Sequence, residues 1–168
     1  LAGFPEITVR GKKGQKITLL VSESLTDEGA CNQRQTGRQH YYEYTLKGEG
    51  VETWHPRFSY YGFRYIQVEG AVLKGQKNTL HLPVIQKIQS CFVYNSAPKV
   101  STFQCSNRIF NEAHRLIEKA VRSNMQSVFT DCPHREKLGW LEQDHLCGPG
   151  LLYNYDLTGF LPQTLPLS

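Results

Sequence analysis

The hydrophobic rhythm of this chain changes once, near Ser101, and that change limits the fold more than any other feature. Up to about Tyr94 the apolar residues alternate or run in short β-branched stretches: Ile7-Thr8-Val9-Arg10, Lys16 to Val21, Tyr41 to Leu46, Phe63 to Val68 and Val84 to Ile88. Turn formers separate them at Gly11 to Gly14, Asp27-Glu28-Gly29, Gly48-Glu49-Gly50, Gly70 and Gly75. Short strands so spaced, with no helical period between them, predict an antiparallel β-sandwich. Beyond Ser101, Ser106 is a candidate helix cap. Ile109, Phe110, Ala113, Leu116, Ile117, Ala120 and Val121 then recur at three- and four-residue steps, which predicts one amphipathic helix of about four turns. Pro133 stops regular structure, so Asp131 to Arg135 are expected on a loop. A second helix is expected from about Gly139 or Trp140 to Cys147, where Gly148-Pro149-Gly150 interrupts it. Leu151 to Phe160 then resume a helix, and Pro162 and Pro166 end the chain in coil. The fold expected is mainly β: a sandwich over residues 1–98, followed by a few α-helices over 99–168. Those helices are too few to close a core of their own. They read as the opening of a larger helical domain, which either folds back on the sandwich or exposes apolar surface and self-associates.

The chain has 168 residues, 39% hydrophobic and 20% charged, a globular composition rather than a disordered one. No apolar run approaches the roughly 18 residues that span a bilayer, so no membrane partner is expected. The start, Leu1-Ala2-Gly3-Phe4-Pro5, carries no secretory signal and looks internal to a longer protein. Localisation is therefore unsigned, with a periplasmic or secreted setting expected before a cytoplasmic one. The net charge of +4 is scattered, densest at Lys12-Lys13 and at Arg34 and Arg38, without the basic stripe and interleaved aromatics of a nucleic-acid binder. Five cysteines are an odd count, unlike a small disulfide scaffold, and leave the redox compartment open.

The chemistry concentrates in Asp131-Cys132-Pro133-His134-Arg135-Glu136-Lys137-Leu138-Gly139-Trp140. Carboxylates work on or bind hydroxyls, arginine offers a planar fork to oxygen, and tryptophan lays a flat apolar face against a sugar ring. Glu136 and Asp131 are the natural pair for general-acid work and substrate positioning. The bland alternative is a salt-bridged turn, with Asp131 capping backbone amides and Arg135 pairing with a carboxylate, and the residues alone leave both open. Cys132, His134, His145 and Cys147 do not match zinc-ligand spacings, so no metal is expected. No base and orienting partner mark Cys132 as a nucleophile. A second dense string, Trp54 to Tyr65, can be read as a carbohydrate platform or as a core corner with a domain-interface stripe, and the second reading is favoured.

The ten-residue string resembles the signature of bacterial α-L-rhamnosidases, glycoside hydrolase family 78. In the same order, Val9 to Gly14, Trp54-His55-Pro56-Arg57-Phe58, Gly62-Phe63-Arg64-Tyr65 and Phe103-Gln104-Cys105-Ser106-Asn107 resemble that family's sandwich and its passage into the first barrel helix. The resemblance implies a β-sandwich followed by the start of an incomplete (α/α)6 barrel, and inverting hydrolysis of terminal α-L-rhamnose from glycosides or polysaccharides. It casts Glu136 as general acid and Asp131, Arg135 and Trp140 as sugar contacts, with no cofactor. Glu136 would need a raised pKa, expected from burial beside Trp140 and from nearby Asp131. Where the family carries Gly-Asp after the tryptophan, this chain has Leu141-Glu142-Gln143-Asp144, so that aspartate's place falls on Gln143 and Asp144 stands one step along as the candidate sugar contact. The family's general base lies in later helices, so this chain alone is expected to be inactive. The competing class is a non-catalytic sandwich that binds carbohydrate or another chain.

Overall fold

The computed structural model describes residues 1–37 and 39–164; Arg38 and Pro166 lie outside the described residues. Contacts divide the chain into two compact units, Leu1–Phe92 and the residues from Val93 onward.

The first unit is a sandwich of two sheets. One has the order β4 (Val51–Trp54), β1 (Ala2–Arg10), β8 (Val84–Phe92), β7 (Val72–Leu73), with β5 (Tyr61–Gly62) also pairing to β1. The other has the order β3 (Tyr41–Thr45), β2 (Lys16–Ser22), β6 (Tyr65–Glu69). Alternation along β1 and β2 sends Ile7, Val9, Ile17, Leu19 and Val21 inward, where they meet Tyr42, Leu46, Phe63 and Ile85 in one core. Each buried aliphatic side chain contributes about 1.5–3 kcal/mol of transfer free energy, an upper figure before ordering costs. All pairings are antiparallel except β7 on β8, which is parallel and makes that sheet mixed. The two-residue strands β5 and β7 and the four-residue β4 are too short to show a period and were not expected from sequence. β1 starts five residues before Ile7, passing through Pro5. That proline sits between the stretches paired to β5 and to β4, where β1 has β8 alone as partner, so its missing N–H is tolerated.

The Trp54–Tyr65 string is largely a core corner. Trp54 stacks on Tyr44 with ring centroids 4.9 Å apart, Tyr61 stacks on His40 at 4.3 Å, and Phe63 is buried. Phe58 instead projects fully into solvent from a left-handed backbone, φ 56°.

The second unit holds α1 (Arg108–Asn124), α2 (Leu141–Asn154) and the single turn α3 (Leu161–Thr164). Its core gathers Met125, Phe129, Leu151, Tyr155, Leu157 and Phe160. Three sequence expectations are corrected here. Asn107, not Ser106, caps α1, its Oδ1 accepting the Ile109 amide at 2.9 Å. Gly148-Pro149-Gly150 does not interrupt α2, which runs continuously through Pro149 because Leu151 beyond it is drawn into the core. Pro162 lies in the first turn of α3 rather than in coil, a position where a helix asks nothing of its missing N–H. Among the described residues no helix is long and apolar enough to cross a membrane.

Candidate active site

The dense string lies on the loop between α1 and α2, anchored at its entry. Met125 ends α1, its amide donating to the Val121 carbonyl at 2.8 Å, and it bridges to Phe129 across a tight turn. The Thr130 amide and hydroxyl then return to the Asn124 carbonyl at 3.0 and 3.2 Å. Met125, Phe129 and Thr130 are buried, so apolar packing fixes where Asp131 begins.

From Asp131 the chain closes on itself. The Asp131 amide donates to the Leu138 carbonyl at 3.0 Å, and the Leu138 amide returns to Asp131 Oδ1 at 2.9 Å. The same Oδ1 accepts the Cys132 amide at 2.8 Å. Pro133 opens a turn that brings the Glu136 amide within 3.3 Å of Cys132 Sγ. Lys137 adopts a left-handed backbone, φ 55°, which reverses the chain toward Leu138. At Gly139 a Cβ would stand 2.9 Å from Val128 Cγ2, so the return strand passes this close because the residue has no side chain.

This closure puts an Asp131 oxygen, Cys132 Sγ and a Glu136 oxygen within 4.8 Å of one another. The two carboxyls interact, and their pKa values move apart. The hydrogen bond to Asp131 raises the pKa of Glu136 above the ordinary glutamate value, the Asp131 charge adds to this, and Arg135 opposes it weakly. At Asp131, partial burial pushes upward, but the bond from Glu136 and the amides of Leu138 and Cys132 outweigh it and leave a lowered pKa. Of the two acids, Glu136 is therefore the one that keeps its proton to higher pH.

The residues singled out from sequence divide into two places. Asp131, Arg135 and Glu136 share the loop; Arg135 is exposed and acts on Glu136 through its charge. Trp140, 54% exposed, is the N-cap residue of α2 and offers no side-chain cap. Asp144 lies in the first turn of α2, where its carboxylate suits the helix dipole. Its Oδ1 is buried without a hydrogen-bond partner, burial raises its pKa, and it lines a cavity of about 330 Å³ with Leu141, His145, Leu151 and Leu152.

Two expectations change. Of the two causes expected for the raised Glu136, nearby Asp131 leads and desolvation adds less, while Trp140 is itself exposed. Of the bland turn, the capping half is present in Asp131 but the ion pair is not, since among the described residues Arg135 pairs with no carboxylate. Cys132 is joined in its cluster by neither His134, His145 nor Cys147. Sequence reasoning missed the part played by Cys132 in the loop; the spacing Cys-Pro-x-x-Glu, a proline-initiated turn with an acceptor before it, was the available signal.

Comparison with known proteins gives a consistent answer for both units. Residues 1–94 match the bacterial α-L-rhamnosidase concanavalin-like domain, and residues 98–167 match the bacterial α-L-rhamnosidase 6 hairpin glycosidase domain. An α-L-rhamnosidase of Formosa agariphila is 33% identical over 166 residues, covering 95% of this chain and 17% of the relative. The structure of α-L-rhamnosidase from Dictyoglumus thermophilum superposes with a TM-score of 0.80 at 30% identity, over 96% of this chain and 18% of that one. The crystal structure of Streptomyces avermitilis α-L-rhamnosidase complexed with L-rhamnose superposes at 0.77 and 30% identity, over 97% of this chain and 15% of that one. The chain thus spans under a fifth of the length of these proteins, across the passage from their sandwich into their helical domain. In sequence and in both halves of its fold, the chain belongs to the bacterial α-L-rhamnosidase family.

Proposed function

We propose that this segment supplies the general acid of an inverting α-L-rhamnosidase, with Glu136 as the acid and Asp131 as the carboxylate that keeps it protonated. The observation that carries this reading is the close approach of the Asp131 and Glu136 carboxyls on the closed loop, which raises the pKa of Glu136 while that of Asp131 is lowered. Their oxygens lie within 4.8 Å. That is well inside the roughly 6.5–9.5 Å that an inverting pair needs to admit a water, so Asp131 does not stand as the base of an inverting reaction. In the proposed reaction the glycosidic C1–O bond breaks as Glu136 gives its proton to the leaving oxygen. A water attacks C1 from the opposite face and passes its proton to a base outside this segment. Asp131, Arg135, Trp140 and Asp144 contact the sugar, Trp140 by its exposed ring. The L-rhamnose complex of the Streptomyces avermitilis relative supports terminal α-L-rhamnose as the substrate group. The same reading sets a sandwich over residues 1–98 and the start of the helical domain over 99–168. The contact division after Phe92 and the two family matches, which meet between 94 and 98, support a boundary in that stretch.

The test is Glu136→Gln in a rhamnosidase catalytic domain carrying this segment, assayed on an aryl α-L-rhamnoside. Turnover should fall by about 10²–10⁴-fold with rhamnose binding retained, and proton NMR of the wild-type reaction should show the inverted anomer first. Wild-type rates in the variant, or a retained anomer, would overturn the assignment.

A further inference from the structure

We propose that Cys132 is a positioning residue for the acid, holding Glu136 against Asp131 through a closed ring of contacts; this rests on the reading of Glu136 as the proton donor. The ring has two hydrogen bonds and one close approach of carboxyls. Asp131 Oδ1 accepts the Cys132 amide at 2.8 Å, Cys132 Sγ accepts the Glu136 amide at 3.3 Å, and a Glu136 carboxyl oxygen comes back within 4.8 Å of an Asp131 oxygen. Asp131 Oδ1 also accepts the Leu138 amide at 2.9 Å, so one carboxylate oxygen ties both ends of the loop while the sulfur ties its middle.

The sequence favours this arrangement. Proline at 133 biases Cys132 toward extended backbone at the entry to the turn. Pro133 itself offers no N–H, and the sulfur takes the amide four residues on. The long C–S bond places Sγ 3.3 Å from that amide. Glu136 is exposed, so its place is set by its main chain together with the approach of its carboxyl to Asp131. The Cys132 sulfur accepts the Glu136 amide and so holds the backbone from which that carboxyl reaches Asp131.

The experiment is a carbon-detected NMR titration of the Glu136 carboxyl in this chain, with amide exchange at Glu136 read on the same samples. In the wild type the Glu136 amide should be protected; an unprotected amide overturns the proposal without any variant. In Cys132→Ala the Glu136 midpoint should fall by about half a pH unit and its amide exchange rise about two- to fivefold, the size of a weak hydrogen bond lost. Cys132→Ser should move both in the same direction by less. A folded Cys132→Ala with midpoint and exchange unchanged overturns the positioning role. Asp131→Asn separates the two claims. If it leaves the Glu136 midpoint in place, the carboxyl pair itself is wrong; if it lowers the midpoint while Cys132→Ala does not, only the role of Cys132 fails.

Discussion

Lys137 carries a backbone that its side chain does not announce. Its φ of 55° lies in the left-handed region, which costs an L-residue about 1–2 kcal/mol, and it follows the proposed acid directly. The turn it makes is what lets the Leu138 amide reach Asp131 Oδ1, so the strain is spent on closing the site. Lys137→Gly should therefore be neutral or stabilising by up to about 1 kcal/mol, while Lys137→Val should cost about 1–2 kcal/mol, as read by denaturant unfolding of this chain. Equal stability in both variants would show that the turn is not strained. At this scale the string stood out in the sequence because carboxylates, arginine and tryptophan within ten positions have few other uses, and Asp131 was legible as a neighbour that raises Glu136. The closure of the loop was not, since it uses a main-chain reversal at a lysine and a sulfur acceptor, neither of which residue type alone encodes.

The helices show where local rules were outweighed by packing. Gly148-Pro149-Gly150 should end a helix by propensity, since proline forfeits the bond to the carbonyl four residues back and its ring crowds that turn. α2 continues because Cys147 and Leu151 on either side face the Met125–Phe160 core, and the burial of Leu151 offsets the break. Pro149 itself is exposed, so Pro149→Ala should remove the penalty without touching the core. It should stabilise the helical unit by about 1–3 kcal/mol and raise its helical circular dichroism; a loss of stability would mean the proline is shaping α2 rather than straining it. α1 depends on charge as well. Glu118 takes an ion pair from Lys99 and a contact from His114 Nε2 at 3.2 Å, and the Lys99 hydrogen bond leads in lowering its pKa against the opposing effect of burial. A lowered carboxylate adds stability above the ordinary glutamate range, and that stability is lost as pH falls through the folded value. Wild type should thus melt higher than Glu118→Gln at neutral pH, with the gap closing under acid. A gap independent of pH would assign the loss to packing. The five longer strand stretches and α1 were legible from periodicity. β4, β5 and β7 were not, because two to four residues carry no period and their pairing is decided by partners distant in sequence.

At the scale of the molecule, each unit has its own core, but the two differ in how completely they cover their apolar surface. The sandwich encloses nine buried hydrophobic residues between its sheets. In the helical unit α1 buries none of its seventeen residues, leaving Ile109, Phe110, Leu116 and Ile117 between 60% and 73% exposed, while α2 exposes Leu141, Leu146 and Leu152 to a similar degree. A helix with a strong apolar stripe normally turns that stripe onto a neighbour. Here the matched domain is by name a six-hairpin one, the chain covers only 15–18% of the solved relatives, and three helices stand among the described residues. Contiguous apolar faces of this kind drive association in water. This chain should therefore show a concentration-dependent mass above that of a monomer by light scattering and should enhance the fluorescence of a hydrophobic dye. Ile117→Lys together with Leu116→Lys, both already solvent-exposed, should lower both signals without loss of fold. A monomer with no dye response at every concentration would mean that the apolar stripe of α1 is covered within the chain in solution, and that the helical unit is more nearly self-sufficient than its exposed residues indicate.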